Sequence, residues 1–211
     1  MSTELYIFFF ITTVMLVLVP GPSAIRVAAQ GASSNAKMAF FSVLGVASAD
    51  ALFFALSATG IASLIVASNL MFSVIKWFGV LYLFYLGISA IFSKTAAIKV
   101  KAQRTKTTAT KAFSQGLIVH LANPKALMYF AALLPQFIDP NKPLALQLLI
   151  MGFTCILADL LVYSMFGYAG GQLARRQLKT WAVSMINKVA GIALIATGIR
   201  MVGLESLGSK Y

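Results

Sequence analysis

The chain has 211 residues, 60% of them hydrophobic and only 10% charged. Soluble domains carry about 25% charged residues, so the composition excludes an ordinary soluble protein and, at about 20 residues per crossing, leaves no room for a large soluble domain. The net charge of +12 collects in short loops, a pattern of membrane topology rather than of nucleic-acid binding.

Six apolar runs follow one another: residues 5–29 (interrupted), 38–67, 71–92, 112–135, 144–167 and 181–204. Their lengths predict an all-α integral membrane protein with six transmembrane helices in one domain. Residues 1–6 carry only Glu4 and no base, unlike the positive start of a secretory signal. Residues 5–19 therefore read as the start of a permanent helix.

The first run is broken by Val19-Pro20-Gly21-Pro22. Proline lacks an N–H and clashes with the carbonyl four residues back, and freed backbone groups at membrane depth must be covered by protein or a wet cavity. The fourth run is broken in the same way by Asn123-Pro124-Lys125, one turn after His120. A lysine at the bilayer centre costs roughly 2.5–3.5 kcal/mol on insertion scales. The alternative is a kinked span whose lysine snorkels to an interface.

The second and fifth runs each hold one mid-span acid, Asp50 and Asp159. The third and sixth open alike, with Lys76-Trp77-Phe78-Gly79 against Lys188-Val189-Ala190-Gly191. The pairs Pro22/Pro124, Asp50/Asp159 and Lys76/Lys188 are offset by 102, 109 and 112 positions. Order is kept, which suggests a duplication: repeat one at 1–93, a basic linker at 94–111 and repeat two at 112–211. Three crossings is an odd number, so the second copy inserts upside down. Inverted repeats with corresponding broken helices point to a transporter site near the midplane.

The linker carries Lys94, Lys99, Lys101, Arg104, Lys106 and Lys111, and a later loop carries Arg175, Arg176 and Lys179. With Arg26 and Lys37 these give eleven bases on one side, against Lys142 and Lys210 on the other. The positive-inside rule then places both termini outside the cytoplasm. Contact of the basic loops with anionic lipid headgroups is expected, and nucleic acid is not. Arg26, Lys76, Lys188 and Arg200 read as snorkelling cations, and the aromatic residues as packing or interface anchors.

Buried ionisable groups usually face a bundle interior and usually pair. Lys125 is the basic partner on offer for Asp50 and Asp159, with His120 nearby. Two acids against one lysine leave one negative charge for a proton, a substrate ammonium or a coupling ion. The alternative is that each acid makes a local structural hydrogen bond. The half-helices beginning near Ser23 and Lys125 offer positive N-terminal ends suited to a carboxylate. A small zwitterion satisfies both kinds of group. The sequence contains one His and one Cys, no metal-ligand spacing, no Walker loop and no Ser-His-Asp set. No enzyme chemistry, metal or cofactor is expected.

Pro20-Gly21-Pro22, the stretch from Gly45 to Asp50, Lys76-x-x-Gly79-x-x-Tyr82-Leu83-x-x-Leu86-Gly87, and Asn123-Pro124-Lys125 with Leu134-Pro135-Gln136-Phe137 resemble the LysE/RhtB amino-acid exporter family over nearly the whole chain. The resemblance implies secondary export of amino acids such as homoserine, threonine, leucine or lysine across the bacterial inner membrane, driven by a proton gradient as an antiport. Ser23 stands where that family often has Asn, Ala49 where Gly is common, and His120 where a small polar residue is expected. These departures bear on the substrate. The site expected is Asp50, Asp159, Lys125, Asn123, Pro124, Pro20, Gly21, Pro22, Ser23 and His120. An exporter of a metal or other small inorganic ion is the alternative, and a homo-oligomer is left open.

Overall fold

The structure, a computed structural model, describes residues 1–34, 36–67, 69–93, 107–139, 141–173 and 180–208. Helix α1, Thr3–Leu18, begins where the Ser2 side chain accepts from the Leu5 N–H at 3.2 Å. Glu4 in the first turn adds a favourable charge. The helix stops because Pro20 brings no N–H for the Leu16 carbonyl. Helix α2, Pro22–Ser33, starts with proline in its first turn, where the missing donor is not needed. The two axes are bent by 54°.

Helices α3, Ala36–Ala67, and α4, Asn69–Ile91, are long and unbroken. Helix α4 starts at Asn69, inside the loop expected around Ser68-Asn69; Ser68 itself lies outside the described residues. Helix α5, Ala109–Leu121, begins within the expected linker, because Thr108 caps it by accepting from the Lys111 N–H at 3.3 Å. Residues 94–106 of that linker, and the basic residues at 175, 176 and 179, lie outside the described residues.

The fourth run departs most from a regular helix. Asn123 caps α6, Pro124–Met128, by accepting from the Lys125 N–H at 3.1 Å. The chain then widens into a π turn, Tyr129–Leu133, and tightens into a 3₁₀ turn, Leu134–Phe137. Pro135 accounts for this, since it too withholds a donor from the preceding turn. The bend between α5 and the segment from Pro124 to Phe137 is 55°, close to that between α1 and α2. Helices α7, Leu144–Leu173, and α8, Thr180–Gly208, complete the chain.

Among the described residues there is no strand, and the fold is an all-α membrane protein. Among the described residues, four helices are long and apolar enough to cross a membrane, or up to six if each bent pair is one span. Large apolar side chains such as Phe78, Leu149 and Phe153 are exposed on the outer surface, where hydrocarbon replaces water.

Small residues set the closest helix contacts. A Cβ on Gly31 of α2 would overlap the Gly167 carbonyl of α7. Gly167 and Gly171, one turn apart on α7, both face Gly31 across this seam. Likewise, a Cβ on Gly116 of α5 would overlap the Ser42 carbonyl of α3. Two apolar clusters result. One gathers Phe9, Leu16, Tyr129, Phe130, Leu133, Phe137 and their neighbours, and the other Ala24, Val27, Val43, Val46 and Tyr163.

Candidate functional site at the two helix breaks

Between these clusters lies a cavity of about 30 Å³ that draws its lining from both. Asp50, His120, Asn123, Lys125 and Asp159 all line it. The five come from α3, the end of α5, the break itself, α6 and α7. Pro20, Gly21, Pro22, Ser23 and Pro124 are not in the lining; they shape the breaks behind it.

Lys125 takes a different partner from the one its charge suggests. Its ammonium donates to the Leu16 carbonyl at 2.7 Å and to the Val19 carbonyl at 2.8 Å. Leu16 is the residue whose carbonyl Pro20 leaves without a helical donor. The lysine of one broken span thus caps the other, 109 residues away in sequence. A cation at a helix C-terminus is also favoured by the helix dipole. Gly21 sits beside it: a Cβ there would lie 3.6 Å from Nζ.

Asp50 makes its direct side-chain contact with His120, whose Nε2 meets Asp50 Oδ1. On its other side His120 Nδ1 lies 2.9 Å from Ser23 Oγ, and Asn123 Nδ2 donates to that same oxygen at 3.2 Å. With a neutral ring and an unprotonated Asp50 Oδ1 the protons fall into one order. Asn123 donates to Ser23, Ser23 donates to Nδ1, and Nε2–H donates to Asp50. All four residues are buried. The relay joins both helix breaks to the mid-span acid. Ser23 therefore reaches the site through His120 and Asn123 rather than by facing the cavity.

Asp159 is 1% exposed, and its Oδ2 has no hydrogen-bond partner. Asp50, His120 and Asp159 each offer a ligand atom, all within 4.8 Å of one another. Two carboxylates this close in a low-dielectric pocket repel unless a proton or another cation is shared between them. Linear spacing gave no hint of this trio, because its members stand on three different helices.

Four further side chains with a polar atom line the cavity and are not in the expected site: Thr13, Tyr129, Cys155 and Tyr163. Spacing carried a usable signal. Cys155, Asp159 and Tyr163 are four apart on one face of α7, and Tyr129 is one turn beyond Lys125. Arg26 is also more than a snorkelling cation. Its guanidinium donates to Gln30 at 2.9 Å and to Gln115, tying α2 to α5. Arg200 pairs with Glu4 across α8 and α1, and Lys188 is exposed. The Lys76 side chain lies outside the described residues.

Comparison with known proteins agrees with this architecture. The family model described as LysE type translocator matches residues 14–204. A homoserine/homoserine lactone efflux protein of Salmonella typhimurium is 31% identical over 203 residues, covering 94% of this chain and 96% of that one. Its counterpart in Salmonella typhi is 30% identical over 203 residues with the same coverage. A protein of Vibrio cholerae described as an uncharacterized membrane protein is 30% identical over 207 residues, 94% of this chain and 97% of the other. No solved structure matches the chain.

Proposed function

Because the chain belongs to the LysE type translocator family, we propose that it exports a small amino acid across the bacterial inner membrane, by alternating access and in exchange for protons. One observation carries this reading. An ammonium and two carboxylates, one of them with an orphaned oxygen, converge on one buried cavity at the junction of two broken helices. An amino acid carries the complementary pair of charges. Its ammonium is suited to Asp50 and Asp159, and its carboxylate to the third N–H of Lys125. The relatives named for homoserine efflux supply homoserine as a candidate.

The two bends of 54° and 55° and the paired prolines support two inverted repeats, and the bias of bases between loops supports termini on the periplasmic side. At about 30 Å³ the cavity admits a water or two, so substrate enters when the bent helices part. The shared proton between Asp50 and Asp159 is what substrate ammonium displaces, which gives the exchange its stoichiometric logic. No covalent step is needed, and the chain acts as a transporter rather than an enzyme.

The test is export from proteoliposomes loaded with mixed amino acids under an imposed pH gradient. Gradient-dependent loss of a small amino acid is expected, and retention of all of them refutes the reading. The Asp50, His120 and Asp159 trio favours a second reading, in which the cargo is an inorganic cation. Cells carrying the protein would then gain tolerance to metals and none to toxic amino-acid analogues.

A further inference from the structure

The cavity has a second polar wall that the charges do not use. Thr13 Oγ1, Tyr129 Oη and Cys155 Sγ form a hydrogen-bonded row along it, with contacts of 2.7 Å and 3.3 Å. The direction of every bond in that row is fixed by counting protons. Thr13 Oγ1 also lies 2.8 Å from the Phe9 carbonyl oxygen. A carbonyl only accepts, so the single Thr13 proton goes to Phe9. Tyr129 must then donate to Thr13, which spends the only tyrosine proton. Cys155 must in turn donate to Tyr129. Every hydrogen on this wall is committed, while lone pairs on the sulfur and the phenol oxygen remain. The wall accepts hydrogen bonds and offers none.

We propose that this row reads the side chain of the exported amino acid and selects one that ends in a hydrogen-bond donor. The inference rests on the export reading and adds Thr13, Tyr129 and Cys155 as specificity-determining residues. A side-chain hydroxyl donates to the wall. A methyl ether of the same length puts a methyl group in that place, which has no polar hydrogen to donate and leaves the wall unpaired. Sites built around a buried hydrogen bond discriminate strongly for this reason. A thiol is a weak acceptor, so the expected preference is about ten- to a hundredfold.

Homoserine and O-methylserine are isomers with the same number of heavy atoms: the first ends in a hydroxyl, and the second ends in a methyl group with its ether oxygen one bond nearer the α-carbon. The experiment measures export of each from proteoliposomes holding the full chain. Homoserine should leave about ten- to a hundredfold more efficiently. Thr13→Val keeps the shape of the side chain and returns the Tyr129 proton to the cavity. That variant should export the ether at least as well as the alcohol. Tyr129→Phe should lose discrimination altogether. Equal export of the two isomers by the unaltered protein overturns the inference, as does carriage of apolar amino acids with neither isomer moved. An unchanged preference in Thr13→Val also overturns it. If no amino acid of any kind leaves, the export reading itself has failed.

Discussion

Replacing Lys125 by methionine tests whether the lysine is a helix cap or a counter-ion. The change keeps an unbranched side chain of similar reach and deletes the ammonium. It strips the donors from the Leu16 and Val19 carbonyls, which Pro20 and the break have already deprived of helical partners. A desolvated carbonyl left unpaired costs about 1–3 kcal/mol, so the pair costs about 2–6 kcal/mol. At about 2–4 °C per kcal/mol for chains of this length, unfolding in detergent should fall by roughly 5–20 °C. Thermal unfolding followed by circular dichroism measures it. The decisive variant adds Asp50→Asn. If Lys125 served chiefly to neutralise the acids, removing one acid would restore much of the loss. Capping of backbone carbonyls predicts no such restoration. A double variant as stable as the parent, or a single variant with unaltered unfolding, would refute the capping argument.

Other outcomes follow from the same geometry. Asp50→Asn should reduce export to background while the protein inserts and folds, because Asn Oδ1 still accepts from His120; transport assayed beside membrane yield checks it. Ser23→Ala removes the hydroxyl shared by His120 and Asn123, and should lower stability by about 1–3 kcal/mol and slow export, as read by unfolding and flux. Gly31→Val drives a side chain into the Gly167 carbonyl; overpacking of this kind costs about 1–3 kcal/mol or more, visible in the same unfolding measurement, whereas Gly60→Val has open space around it and should not shift unfolding.

The membrane class and the six apolar runs were legible because hydrocarbon admits few alternatives to a long helix. Both breaks were legible because proline acts locally, on the carbonyl four residues before it. The charged members of the site were legible because ions at membrane depth are rare. Their partners were not. Lys125 answers a vacancy created by Pro20 in the other half of the chain, and no local pattern encodes that distance. His120 read as a neighbour and is the contact of Asp50 across 70 residues. The contacts that Thr13, Tyr129 and Cys155 make with one another were not legible, because a hydroxyl or thiol within an apolar run looks the same whether it bonds to its own helix or to another. The π turn after Met128 was hidden for a related reason: Pro135 announces a disturbance, but neighbouring helices decide how the backbone absorbs it.

The glycine seams also govern the order in which the molecule is made. Gly31 belongs to the first half of the chain and grips Gly167 in the second; Gly116 belongs to the second half and grips Ser42 in the first. A nascent polypeptide made only as far as residue 93 carries Gly31 and Ser42 but neither Gly167 nor Gly116, so each seam still lacks one side. The first half therefore completes these helix contacts only once the second half has been made.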